Sequence, residues 1–197
     1  MTHVFLIHPP VSFTTEHLEN DIIPDCPHLG LLYLAATVEE EGFTAKVLDA
    51  VDGSLTISDI LKSIEREEPK IVGITAATMN VRGAVQLAKA VKESFGESCQ
   101  VCLGGPHISA DPTIIERFPF FDFGVTGESD IMFPKIVKGV IRDKKQPSGV
   151  FEGEAPLDLD AIPFPARHLV DYDYYVKKRG FWANAIMATR GCPYRCI

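Results

Sequence analysis

The sequence predicts a doubly wound α/β fold, with five parallel strands joined by helical crossovers. Three observations predict it. Short apolar runs alternate with stretches of helical periodicity from the N-terminus to about residue 145. The third run, Lys70-Ile71-Val72-Gly73-Ile74-Thr75, is apolar through its middle, as in a parallel strand covered on both faces. The runs also end on the same kind of residue, small, polar or backbone-bending.

Val4-Phe5-Leu6-Ile7-His8 is the first strand, stopped by Pro9-Pro10, which cannot continue a ladder. Residues 28–40 carry apolar side chains at helical spacing (Leu31, Leu34, Ala35, Val38), and Gly42 is placed to end that helix. Residues 44–48 form a second strand ending at Asp49, and residues 56–67 a helix with Ile57, Ile60, Leu61 and Ile64 on one face. The third strand is followed by a helix over 81–95, with Val85, Leu87, Ala88 and Val91 for packing. Residues 100–103 make the fourth strand, cut off by Gly104-Gly105-Pro106, and 112–117 a short helix. Phe123-Gly124-Val125 is the fifth strand, and 129–142 the last helix of this unit. From 146 to 184 the periodicity fades, and Pro163 and Pro165 forbid a regular helix. That stretch reads as an ordered linker lying against the first domain, with one more strand at Ala185 to Ala188.

A net charge of −8 over 197 residues disfavours a nucleic-acid partner held by phosphate contacts. No apolar run reaches the length needed to cross a bilayer, and the N-terminus lacks a signal-peptide pattern, so a cytoplasmic protein without membrane partners is expected. Five scattered cysteines do not form a disulfide framework. Cys99 and Cys102 flank Val101 in a strand and read as core thiols.

Ligands of doubly wound sheets bind beyond the carboxyl ends of the strands, where the strand order reverses. Those ends supply the candidate site: Pro10, Asp49, Val51, Thr75, Ala76, Thr78, Gly104, Gly105, Pro106, His107, Gly127 and Glu128. Gly104-Gly105 lets a ligand press on bare backbone. His107 is a rim contact or an ordinary rim side chain, and His8 reads as a satisfied strand-end imidazole. His3, His17, His28 and His168 read as surface or capping residues, and Glu128 either bonds a ligand or caps a helix.

The segment Arg190-Gly191-Cys192-Pro193-Tyr194-Arg195-Cys196 resembles the opening of the Cys-x3-Cys-x2-Cys motif of radical S-adenosylmethionine enzymes, whose third cysteine would fall two residues past Ile197. Taken alone, two cysteines at this spacing are also compatible with incidental thiols or half a zinc site. With Leu103-Gly104-Gly105-Pro106-His107, Thr126-Gly127-Glu128 and Ile162-Pro163-Phe164-Pro165-Ala166-Arg167 in order before it, the chain resembles the cobalamin-binding radical S-adenosylmethionine family.

The resemblance implies a Rossmann-like cobalamin domain over residues 1–145, a linker over 146–184 and the start of a radical domain over 185–197. It implies cobalamin on the rim. Cys192 and Cys196 would be metal ligands of a [4Fe-4S] cluster that chelates S-adenosylmethionine. The full-length protein would be a methyltransferase acting on an unactivated carbon or phosphorus of a small-molecule substrate, while these residues alone would be inactive. Some members use the same parts for ring formation. Cobalamin domains of the methionine-synthase type carry Asp-x-His-x-x-Gly, and the stretch compared with it here, Asp49-Ala50-Val51-Asp52-Gly53-Ser54, has valine for the cobalt-ligating histidine. This departure keeps open an alternative in which the domain has lost cobalamin and serves substrate binding or assembly.

Overall fold

The computed structural model describes residues 2–13, 26–52, 54–180 and 184–191. Among them are six strands, all parallel: β1 (Val4–His8), β2 (Ala45–Asp49), β3 (Ile71–Thr75), β4 (Gln100–Gly104), β5 (Phe123–Gly127) and β6 (Gly149–Gly153), in the order β2-β1-β3-β4-β5-β6. The order reverses between β1 and β3. Helices α1 (Leu29–Glu40), α2 (Ile57–Glu67), α3 (Val81–Phe95), α4 (Pro106–Ala110), α5 (Ile114–Arg117), α6 (Met132–Asp143) and α7 (Tyr172–Arg179) complete these residues.

The strand period of two splits the core into two layers. Phe5, Ile7, Val72, Ile74, Val101 and Leu103 face α2 and α3, where Ile60, Ile64, Leu87 and Val91 meet them. Val4, Leu6, Cys102, Phe123 and Val125 face α1 and α6, against Leu32, Ala35, Phe133 and Val137. Local signals start the helices. Thr56 and Asp59 form a capping box for α2, and the His28 imidazole Nδ1 accepts the Leu31 N–H at 3.2 Å to cap α1.

Besides the helices α4 and α7, which no expected element covers, two features depart from the expected fold. The sheet has a sixth strand, β6, inside the stretch read as linker. Only Phe151 of that strand touches the core, edge-on to Phe123 at 5.9 Å, so its residues carry no alternating pattern. Residues 184–191 hold no strand, although Ala185 to Ala188 read as one. The connecting stretch does pack on the sheet's partners: Ala166 is buried and its N–H donates to Leu32 O at 2.9 Å.

The reversal point is held rigidly. Buried Asn80 donates from Nδ2 to Pro9 O at 3.1 Å and accepts the Ala77 N–H on Oδ1 at 2.7 Å, joining the loops that leave β1 and β3. On α3, a Cβ at Gly83 would lie 2.0 Å from Pro10 O, so only glycine permits this approach.

Candidate functional site

A cavity of about 410 Å³ opens past the carboxyl ends of β1, β3, β4 and β5 and runs down between the sheet and helices α1 and α6. Its floor is Leu6, Gly73, Cys102 and Val125. Leu6, Gly73 and Cys102 are register partners across three strands, and the missing side chain at Gly73 leaves the gap between the other two. A Cβ there would lie 2.8 Å from Leu6 Cδ2. At Gly104 a Cβ would meet nothing within 4 Å; it would stand in the cavity itself. Tyr33, Leu34 and Phe133 make the helical walls.

The rim is polar. Thr75, Ser129, Glu128 and Asp130 line it, and Met187, Thr189, Arg190 and Gly191 close one side. Arg190 donates to Glu128 Oε2 at 2.9 Å and to both oxygens of buried Asp130, and its guanidinium lies 4.8 Å from the Tyr33 ring centroid. Burial opposes the charge of Arg190, but its hydrogen bonds to Asp130 and Glu128 outweigh that and push its pKa upward. His28 also lines the cavity. Burial, with His8 beside it, pushes its pKa down to about 4, so the ring is neutral at pH 7. Because Nδ1 accepts the Leu31 N–H, the proton of the neutral ring is on Nε2. The floor is uncharged as well, since burial drives the Cys102 thiol upward.

Of the residues the sequence put forward, Thr75, Gly104, Gly105, Pro106, Gly127 and Glu128 are brought together around this cavity. Glu128 pairs with Arg190, and no side-chain cap is seen at the start of α6. The others lie apart from the cavity lining. Pro10 packs against Gly83 on the α3 side. Ala76 is fully buried, its N–H donating to Gly104 O and its carbonyl accepting the His107 N–H. Thr78 Oγ1 and His107 Nδ1 bond each other at 3.1 Å. Val51 is buried at the end of β2, the outermost strand, away from the reversal point. Asp49 accepts from His8 Nδ1 and from the Tyr175 hydroxyl, each at 3.0 Å.

Gly73, His28, Tyr33 and Asp130 are site residues that the sequence reading did not pick out. Gly73 carried a usable signal, a lone glycine inside an otherwise apolar central strand. Cys192 and Cys196 lie outside the described residues. Among the described residues, no group of three or more His, Cys, Asp or Glu could hold a metal ion, and no helix is long and apolar enough to cross a membrane.

The B12 binding domain family matches residues 21–137, more than half of the chain. The chain belongs to this family. It is 34% identical over 208 residues to the uncharacterized methyltransferase PH0819 of Pyrococcus horikoshii, covering 98% of this chain and 44% of that one. It is 26% identical over 180 residues to the hopanoid C-2 methylase of Rhodopseudomonas palustris, covering 91% and 31%. The chain thus spans less than half the length of these curated relatives. Its fold matches that of the cobalamin-dependent S-adenosylmethionine radical enzyme OxsB, solved with aqua-cobalamin and S-adenosylmethionine bound. The TM-score is 0.65 at 18% identity, over 90% of this chain and 25% of that one.

The residues present in this B12 binding domain fit the nucleotide arm of a cobalamin. The uncharged apolar floor suits a flat heteroaromatic base, the space beside Gly104 is free of side chains, and hydroxyls and the His28 N–H stand at the polar rim.

Proposed function

We propose that this chain is the cobalamin-binding part of a radical S-adenosylmethionine enzyme, a methyltransferase acting on an unactivated carbon or phosphorus of a small molecule. The observation that carries the reading is the cavity kept open by Gly73 and Gly104 at the strand-order reversal of a B12 binding domain. The methylating relatives, and the fold shared with a radical enzyme, support the reaction class.

Bound cobalamin supplies a cobalt centre able to carry a methyl group. The chain's own residues bind and shield. Leu6, Val125 and Phe133 exclude water from the buried arm, while Thr75, Ser129 and Tyr33 offer hydroxyls to its polar part. Arg190 holds the segment leading to Cys192 and Cys196 against the cavity wall. In this reading residues 1–145 hold the cofactor and 146–184 bridge onward. The two cysteines begin the ligand set of a [4Fe-4S] cluster, with S-adenosylmethionine as its chelated partner and the reducing cytoplasm as its setting.

The test is retention. The protein is incubated with hydroxocobalamin and desalted, and its visible spectrum is recorded. Stoichiometric corrin absorbance is expected. Clean loss of colour overturns the reading and favours a domain that serves substrate binding or assembly.

A further inference from the structure

We infer that the cavity selects its corrinoid by the base of the nucleotide arm, taking an apolar base, a benzimidazole or a phenol, and disfavouring a purine. This rests on the cobalamin reading given under Proposed function and adds which corrinoids the site accepts. Strand register gives the depth of the cavity. Thr75 and Gly104 pair across β3 and β4 at its mouth. Gly73 and Cys102 pair two residues further in, about 7 Å down the sheet. Leu6 stands in the same row, as the partner of Gly73 on β1. The space beside Gly104, which no side chain enters, leads down to this row.

The lower row has little to offer a polar base. Strands β1, β3 and β4 are each flanked by strands on both sides, so their backbone groups are spent in the ladder. The Cys102 thiol is buried and directed to Leu103 O at 3.7 Å. Leu6 and Phe133 close over Gly73, where a Cβ would lie 2.8 Å from Leu6 Cδ2 and 3.9 Å from Phe133 Cζ. Val125 adds a further apolar side chain to the lining. The charged groups stand at the mouth, where Arg190 draws Glu128 and Asp130 together and lies on the Tyr33 ring. The sugar and phosphate of the arm are matched to that polar mouth, and the base to hydrocarbon. Dimethylbenzimidazole and cresol bring methyl groups and apolar ring edges, which such a lining favours. Adenine brings an exocyclic amine and additional ring nitrogens, which give up water on entry and find no partner there.

Dissociation constants on the full chain, from equilibrium dialysis read by visible absorbance, test this. The probes are hydroxocobalamin, p-cresolylcobamide, adeninylcobamide and cobinamide, which has no base. Adeninylcobamide is expected to bind at least about 10-fold more weakly than p-cresolylcobamide, and cobinamide more weakly than either apolar form. The gap between adenine and cresol should narrow in Val125→Thr or Cys102→Ser, each of which puts a hydroxyl into the lining at nearly the parent shape. Any difference in how the two bases hold their own cobalt cancels between parent and variant. Retention of p-cresolylcobamide certifies the fold of each variant, and where a variant does not fold the parent gap decides. Adeninylcobamide binding as tightly as p-cresolylcobamide, or a gap that neither folded variant alters, overturns the selection and leaves the cobalamin reading intact. Cobinamide binding as tightly as p-cresolylcobamide puts the base outside the cavity and overturns it too. A chain that retains neither hydroxocobalamin nor any other of these corrinoids overturns the cobalamin reading, and this inference with it.

Discussion

The two faces of the sheet are built from the same five-residue strands, yet one is sealed and the other is hollow. Leu103 and Gly104 are neighbours in β4 and point to opposite sides. Leu103 is fully buried in the layer under α2 and α3, where Phe5, Ile7 and Ile74 leave no room. Gly104 looks into the cavity under α1 and α6, beside Cys102 of its own strand and Gly73 of the adjacent β3. The sealed face uses apolar volume for stability. The hollow face gives up that volume at a few chosen register positions, and the space so left is the candidate site.

Substitutions should separate these two uses. Leu103→Ala is expected to lower unfolding free energy by about 3–4 kcal/mol in urea titration, through lost burial and a new void. Corrinoid retention per folded molecule should be unchanged; a selective loss of retention would erase the distinction between the faces. Gly104→Phe is expected to do the reverse. It should weaken hydroxocobalamin binding by about 100-fold, equivalent to about 2.7 kcal/mol, with a melting temperature close to that of the parent.

A pH titration sharpens the contrast, because the hollow face buries His28, an imidazole that titrates below neutral pH. The His28 pKa falls from 6.5 in the unfolded chain to about 4 in the folded one. The unfolded state therefore binds the proton first. The contribution is complete above pH 6.5 and is lost as pH falls through 4. Between pH 7 and pH 4.5 it amounts to roughly 2.5 kcal/mol. Urea titrations at both values should show this loss, and His28→Asn, which can still cap α1, should remove most of it. Arg190→Gln breaks the bonds to Asp130 and Glu128 and should lower local stability over residues 184–191 by roughly 2 kcal/mol, read as faster amide exchange there with little change elsewhere. The smallest effect belongs to the sealed side. Thr56→Ala removes the capping box of α2 and should take about 1 kcal/mol from global stability without touching retention.

The sequence made the alternation of elements legible, because buried parallel strands and amphipathic helices have distinct periods. It also placed five strands within a residue or two of their observed bounds. The helix α4 escaped because Pro106 reads as a breaker, although proline is favoured at the first position of a helix. The strand β6 escaped because an edge strand with one half-buried phenylalanine has no pattern to show. Strand ends located the rim, and half of its candidate residues surround the cavity. The rest could not be sorted, since sequence gives neither strand order nor which face a loop turns toward. Asp49 and Val51 follow a strand end like any other, and only the outer position of β2 removes Val51 from the crevice. His28 was legible as a cap but not as a cavity wall, because α1 lies over the hollow face only once the chain is folded.

Asn80 has a consequence for traffic into the crevice. One buried carboxamide ties Pro9 to Ala77, so the two loops that part at the reversal are stitched at a fixed distance. Widening the crevice between Pro9 and Ala77 breaks at least one of these two hydrogen bonds. On the opposite side, Met187, Thr189, Arg190 and Gly191 lean on the cavity, and the two carboxylates that pair with Arg190 hold that segment there. Under the proposed function, a cofactor that enters on that side displaces the segment that Arg190 anchors to Glu128 and Asp130.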